Sequence, residues 1–501
     1  MKLFPGIAIL CAAALAAGCS SVVNSHRQKE PMLTAYMDGD NDGVTDVLKE
    51  NLKDPNWYNT SVIGTGDELI WRLEAGSFSF HIGKYQSCIE QLEAAEELIA
   101  DYDDRAKISM RDVGAEAGAA LTNMNALPYR GLCRDRMALS IYKSLAYLGV
   151  GREDAFRAQL KRLRNEQKKV QDDYQEFFDE EKELMAAARA QNPEAARTAD
   201  TRGAVSVFSA NGRNPQFVAT MDKMREVAHR GYGDFLNPAA IYLSGLGSLR
   251  DGLFDNARID FQRLYEAMPA NPMTRKYYVT ALTLAGREIP EELADTAPFD
   301  FPVDHDCVYV ITANGRGGAL QQVAVYYPIM TAWPVCEFYP ADFNRMQATA
   351  GGVTRDGFLL ADMDGILAQE FDQRLPGIIA RIALSTAIKE AAYYSGLALA
   401  ANSDMDDGVK ALVLLGIVLG GTGYRAAMNT ADTRSWEMLP KEFLLTQFPM
   451  PSDREVTVSL SGASRVSRRL RIPEGCPSAI IFVSAPSARN VTIHVLPMMS
   501  K

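Results

Sequence analysis

Three features of the sequence predict a mainly helical chain with a smaller mixed α+β part toward its C-terminal end. Between about 31 and 295, apolar residues recur at helical spacing. Past 300 the pattern shifts to short alternating runs bounded by Gly and Pro. A hydrophobic share of 47 % supplies material for large cores. The roughly 480 residues that follow the leader are enough for two or more domains.

The leader comes first in the chain. Lys2 gives a short basic start, and 6-GIAILCAAALAAG-18 is an apolar run of small residues. It is too short to cross a bilayer and reads as a signal peptide over 1–18. The run ends at 15-LAAGC-19, which resembles the lipobox of bacterial lipoproteins, although Ala16 stands where Leu is usual. The resemblance implies cleavage after Gly18, lipidation of Cys19 and a short linker over 19–30. Ser20 and Ser21 follow, with no aspartate after the cysteine, which in such lipoproteins implies the outer membrane, facing the periplasm. Several acyl chains at about 0.8 kcal/mol per buried CH₂ make that anchor effectively permanent. The net charge of −11 argues against nucleic acid, which selects for basic surfaces.

Beyond Cys19 the chain carries Cys88, Cys133, Cys307, Cys336 and Cys476. An oxidising compartment permits disulfides, and an odd number leaves one thiol over. Cys307 with Cys336, which flank strand-like segments, is one expected pairing; Cys88 with Cys133 is the other.

In the helical part, 38-DGDNDGVTD-46 begins like a calcium loop, with Asp38, Asp40, Asp42 and Asp46 around Gly43. An EF-hand counted from Asp38 wants Glu at its twelfth place, and Lys49 stands there. A pattern repeated further on offers another reading. Gly83 is followed five and nine residues later by Cys88 and Leu92, Gly151 by Phe156 and Leu160, and Gly252 by Ala257 and Phe261. The glycine turns the chain after one helix, and the later pair packs the next helix on the first. Gly39, with Val44 and Leu48, fits the same frame. That makes the aspartates turn formers and helix caps, with a looser calcium site as the alternative. These units resemble the helical hairpins of tetratricopeptide repeats, in a degenerate array because the glycines are unevenly spaced.

One long helix is expected over 152–190. Phe156, Leu160, Leu163, Gln167, Val170, Tyr174, Phe177, Glu181, Leu184 and Ala188 follow a four-three spacing, a coiled-coil-like seam. A mobile connection rich in Asn, Pro, Gly and Thr is expected over 191–216.

The α+β part is expected over 296–501. Residues 307–328 read as one hairpin around the glycine-rich turn 314-NGRGG-318. A helical insert is expected over about 351–430. Its run 411-ALVLLGIVLGGTG-423 is too short for a membrane span. Strands are expected from 441 on, at 455–462, 466–473, 479–485 and 491–497, forming a sheet with 300–345. In 432-DTRSWEMLP-440, Trp436 and Leu439 are expected at the join of helix and sheet. Arg434 is placed to pair with Asp432 or a carbonyl, in an architectural or binding role.

No catalytic constellation emerges. The five histidines form no metal-binding spacing, 304-DHDC-307 reads as a loop entering a strand, and 314-NGRGG-318 lacks the helix of a phosphate loop. Together 71-WRLEAGSFSFHIGKYQSCIEQLEAAEELI-99, 232-YGDFLNPAAIYLSGL-246, 369-QEFDQRLPGIIAR-381 and 432-DTRSWEMLP-440 resemble an uncharacterised family of bacterial lipoproteins with tetratricopeptide-like helices. Residues 307–340 and the final strands depart from that pattern. The resemblance implies an envelope lipoprotein with no catalytic residue to carry over, linked by association to lipoproteins that activate penicillin-binding proteins. The expected function is a lipid-anchored scaffold that binds an envelope protein through its helical hairpins and needs no cofactor. The alternatives are an envelope hydrolase acting on peptidoglycan or lipid, and a calcium-responsive tether.

Overall fold

The computed structural model describes residues 25–54, 61–109, 128–202, 215–233, 235–327, 329–403 and 431–499, together with 406 and 410. It is a mixed helical and sheet architecture. The expected signal peptide, Cys19 and the apolar run 411–423 lie outside the described residues.

The helical part runs α1 (Ser25–Asp38), α2 (Asn41–Asn51), α3 (Glu68–His81), α4 (Tyr85–Ser109), α5 (Cys133–Gly149), α6 (Glu153–Gln191), α7 (Pro193–Arg202), α8 (Pro215–Ala228), α9 (Pro238–Arg250), α10 (Phe254–Ala267) and α11 (Pro272–Leu284). The pairs α1–α2, α3–α4, α5–α6 and α9–α10 pack as neighbours. Each pair is joined by a glycine at positive φ: Gly39, Gly83, Gly151 and Gly252. The hydrogen bonds at each turn are the same. At Gly83, for example, the glycine N–H donates to Phe80 O and the next N–H, Lys84, donates to Ser79 O. This is the Schellman closure, which needs a left-handed residue where glycine carries no Cβ penalty. All eight residues five and nine positions beyond these glycines are buried.

A second glycine completes two of the hairpins. A Cβ on Gly76 would sit 2.4 Å from Leu92, and one on Gly245 would sit 2.9 Å from the Phe261 ring. Each lies seven residues before its turn glycine and meets the residue nine after it. The missing side chain thus lets Leu92 or Phe261 of the second helix seat against the backbone of the first.

Helix α6 closely matches the expected span and, at 1.5 Å per residue, is about 58 Å long. Its seam is buried from Phe156 through Tyr174; the side chains of Phe177, Glu181, Leu184 and Ala188 lie outside the described set. The connection expected to be mobile is in part helical, because α7 occupies 193–202 with Pro193 at its first position, where a missing N–H costs nothing. Residues 203–214 lie outside the described residues.

Among the described residues the strands form three sheets. One has the order β11 (Asn490–Met498), β10 (Ser478–Ser487), β1 (Cys307–Arg316), β7 (Pro440–Pro449), β6 (Phe358–Asp362). Within it β1 and β10 run parallel, with Val308 opposite Ala479. The second has the order β5 (Val353–Asp356), β4 (Phe343–Ala350), β8 (Glu455–Gly462), β9 (Arg465–Arg471). The third is a separate hairpin of β2 (Ala319–Tyr327) and β3 (Ile329–Glu337). A last long helix, α12, spans Met363–Ala401.

Two expectations in this part are corrected. Residues 307–328 are not one hairpin: β1 belongs to the five-stranded sheet and β2 pairs with β3 instead. The glycines mark a close crossing rather than a two-strand turn. A Cβ on Gly317 would lie 2.8 Å from Pro440 O, and one on Gly318 would lie 2.7 Å from the Phe338 ring. The insert expected as helical from 351 opens with β5 and β6, and α12 begins only at Met363, capped by the Asp362 carboxylate on Gly365 N.

The layers explain the two strand patterns. One face of the five-stranded sheet, with Tyr309, Ile311, Phe443, Leu445 and Phe482, shares a core with the helices. The other face, with Val308, Val310, Ile481 and Val483, packs on Met346, Ala348, Val456 and Val458 of the four-stranded sheet. β1 and β10 are covered on both faces and read as continuous apolar runs, whereas β8 is covered on one and alternates. Residues on both sides of position 295 belong to the same core.

Candidate functional site

Residues 431–439 cross the middle of the molecule without belonging to a helix or strand, and all but Asp432 are buried. A buried irregular segment has backbone donors and acceptors with no ladder to pair them, and leaving them unpaired is costly. Here side chains from distant elements supply the partners.

Glu74 of α3 accepts from Glu437 N at 2.9 Å and from Met438 N at 3.0 Å. Asp135 of α5 accepts from Trp436 N at 3.2 Å. Arg134 beside it donates to Trp436 O at 2.9 Å and to Gly318 O at 2.8 Å. Lys29 of α1 donates to Ser435 O at 2.6 Å, and Gly317 N donates to Leu439 O at 2.8 Å. The Trp436 indole N–H donates to Ser77 Oγ at 3.0 Å. The segment is thus tied to α1, α3, α5 and the crossing between β1 and β2.

The same charges pair with one another. Lys29 lies 3.0 Å from Glu74 and 2.9 Å from Glu437, and all three side chains are fully buried. Glu437 also meets His26 Nδ1 at 2.6 Å and Arg316 at 2.8 Å. Burial opposes charge on Lys29, but Glu437 and Glu74 outweigh it and raise its pKa above the ordinary lysine value. Burial likewise pushes Glu437 up, yet Lys29, His26 and Arg316 overcome it and hold the carboxyl at about 2. Burial dominates at Glu74, whose pKa is raised even though Lys29 opposes the rise.

Arg434 pairs with Asp432 at 2.8 Å and with Asp67 at 3.2 Å. Burial tends to raise Asp432, but Arg434 wins and lowers it. One step out, Asp364 of α12 accepts from Gly318 N at 2.6 Å and pairs with Lys441. Glu370 accepts from Cys133 N, the first residue of α5, at 2.9 Å. Burial, opposed by Arg374, raises Glu370 to about 7.

The residues singled out in the sequence take these places. Trp436, Arg434 and Asp432 lie in or beside this network. Asp40 is the N-cap of α2 and accepts from Gly43 N at 3.0 Å. Asp38 pairs with Arg489, and Asp42 and Asp46 lie exposed on α2. Among the described residues no group of three or more His, Cys, Asp or Glu is arranged to hold a metal ion. Both expected disulfides are corrected: Cys88, Cys133, Cys307 and Cys336 are free, buried thiols. Cys307 begins β1 while Cys336 lies in the separate β2–β3 hairpin, and the Cys307 thiol donates to Pro302 O instead.

Sequence reading missed Lys29, Glu74, Arg134, Asp135 and Glu437. The available signal was a lone charge in a run without another, as Glu74 is in 73-LEAGSFSF-80. Comparison with protein-family models, with curated proteins and with solved structures finds no match for this chain.

Two histidines join the helices to the sheet nearby. His81, which ends α3, meets Ser484 Oγ at 2.7 Å and Asn490 Oδ1 at 2.8 Å. Burial lowers it to about 4, so it is neutral near pH 7. His494 of β11 meets the Tyr85 hydroxyl at 2.8 Å. Chemically, the ensemble is a set of fixed partners for backbone and for one another.

Proposed function

We propose that the protein is a non-enzymatic scaffold of the cell envelope, held at the outer membrane by lipid on Cys19, with helical hairpins that bind a protein partner. The observation that carries this reading is the hairpin geometry. The glycine-to-Leu92 and glycine-to-Phe261 contacts, each closed by a Schellman turn, are the packing a tetratricopeptide-like unit needs. The turn glycines Gly252 and Gly286, both at positive φ, are 34 residues apart, which is the period of that repeat. Stacked helix pairs of this kind make extended binding surfaces. The buried carboxylates Glu74, Asp135, Asp364 and Glu437 are each engaged by backbone N–H groups or a paired cation. That favours holding over chemistry.

The test is photo-crosslinking in living envelopes, with the reactive residue at the exposed hairpin positions Glu90, Lys161 and Ile259. One discrete protein adduct is expected at some of these positions. A correctly localised chain that yields no adduct at any of them overturns the reading. The anchor is tested separately, by mass spectrometry of the mature N-terminus and by loss of membrane fractionation in Cys19→Ala.

A further inference from the structure

Acidic residues outnumber basic ones in this chain, 63 to 52, yet one short strand reverses the balance. β9, 465-RVSRRLR-471, carries four arginines and no carboxylate. It is also an edge, because the four-stranded sheet ends there with β8 as its neighbour. Alternate N–H and C=O groups on its outer side face away from the sheet with no ladder to join. Among the described residues no other backbone pairs with them.

The register with β8 sorts the side chains by face. Val466, Arg468 and Leu470 stand opposite Leu460, Val458 and Val456, on the face toward the five-stranded sheet, where Val466 and Leu470 pack on the core. Arg465, Ser467, Arg469 and Arg471 stand opposite Ser461, Ser459, Thr457 and Glu455, on the solvent face. All four arginines are exposed. Arg469 pairs with Glu455 at 2.7 Å and Arg471 with Glu474 at 3.1 Å, at the surface, where such pairs contribute little. Among the described residues Arg465 and Arg468 meet no carboxylate, and Arg468 donates to Ser467 O.

Charges on an edge strand keep other strands from adding to it. Four arginines do so against every strand except an acidic one. A second β9 paired antiparallel about Arg468 would set Arg468 against Arg468 and Arg465 against Arg471, and like charges directly opposite destabilise a sheet. A lipid surface would meet one face of the strand, whereas the arginines occupy both. An added strand alternates its side chains with the same two-residue period and reaches both faces at once. The three longest internal undescribed stretches join α4 to α5, α7 to α8 and α12 to the 431–439 junction. Those attachment points lie on the helical side of the five-stranded sheet, away from β9.

We propose that β9 is a docking edge for an acidic segment of a partner protein, which adds to the four-stranded sheet as an extended strand. Antiparallel pairing places carboxylates opposite Arg471, Arg469, Arg468 and Arg465, the first, third, fourth and seventh positions of the segment. Apolar residues fall opposite Leu470 and Val466, the second and sixth. Backbone hydrogen bonds supply the affinity, and the arginine forks select the partner. The edge lies across the five-stranded sheet from the hairpins, so its use is independent of theirs.

The experiment uses the full-length protein in mild detergent and a fluorescent peptide with glutamates at those four positions and valines at the second and sixth. Saturable binding that weakens with salt is expected by anisotropy, with slowed amide exchange confined to 465–471. Arg465→Glu combined with Arg468→Glu should weaken binding about tenfold or more, and a thermal melt checks that this variant stays folded. A peptide with the same side chains but an N-methylated backbone, tested on the unaltered protein, should also bind about tenfold weaker or worse.

Absence of binding overturns the proposal, including where another part of this chain already holds the edge. Equal binding of the methylated peptide overturns it as well, since charge attraction alone would then suffice. So does exchange protection away from β9. Arginine-dependent binding of phosphatidylglycerol vesicles in place of the peptide would assign the strand to a lipid surface instead.

Discussion

The helical hairpins and the 431–439 junction hold helices by opposite means. In the hairpins, glycine removes a side chain so that two backbones close over a leucine or a phenylalanine. At the junction, charged side chains are carried into the interior to satisfy a segment with no ladder of its own. The first device works over nine to sixteen residues and leaves a repeated local mark. The second ties the segment to helices 301 to 411 residues away in sequence and leaves almost none.

The largest expected effect lies at the junction. Lys29→Ala leaves Glu74 buried without its cation and Glu437 with His26 and Arg316 alone, and should cost about 3–5 kcal/mol in chemical denaturation. A plain buried ion pair often tolerates apolar replacement. Here Lys29→Met with Glu74→Leu should stay strongly destabilised, because the N–H groups of Glu437 and Met438 lose their acceptor. Recovery of wild-type stability by that double variant would reduce the junction to an ordinary ion pair.

The pH dependence sharpens the same side. The Glu437 carboxyl is depressed to about 2 from its ordinary 4.5, so its contribution is complete above about 4.5 and is lost as pH falls through 2. The stability gap between wild type and Glu437→Gln should narrow by about 2 kcal/mol between pH 6 and pH 3. A gap that holds constant over that range would mean Glu437 is not the group titrating.

On the hairpin side, Gly76→Ala forces a methyl against Leu92. Overpacking of about 1–3 kcal/mol should outweigh the gain in helix propensity of up to about 1 kcal/mol. Leu92→Val should recover part of the loss, and additivity of the two changes would show that the contact is not tight. The smallest effect is expected at Asp40→Ala, about 1 kcal/mol from loss of the α2 cap. Melts with and without Ca²⁺ should shift alike for both proteins; a calcium-dependent difference would restore the metal reading.

This contrast also accounts for what could be read in the sequence. Gly83, Cys88 and Leu92 announce a hairpin because the residues that meet are close in the chain. The runs 307–313 and 479–485 announce buried strands because both faces are covered. Gly317 and Gly318 misled, since a glycine needed for a close crossing looks the same as one needed for a turn. Lys29 and Arg134 gave no sign of burial. Residues of their type are nearly always solvated, and the backbone that pulls them inward lies at the other end of the chain.

The docking of α1 has a consequence for the order of assembly. Besides Ser435 and Glu437, its end is held by Ser487, which donates to Met37 O, and by Asn490, which donates to Tyr36 O at 2.7 Å. These partners lie 406 to 454 residues further along the chain, so none exists when α1 is made, and α1 completes its docking only after residue 490 has been added. A chain released before residue 490 would carry an incompletely docked α1, packed on α2 but with part of the apolar face of Met32, Leu33 and Tyr36 open to whatever quality-control machinery surveys unfinished proteins.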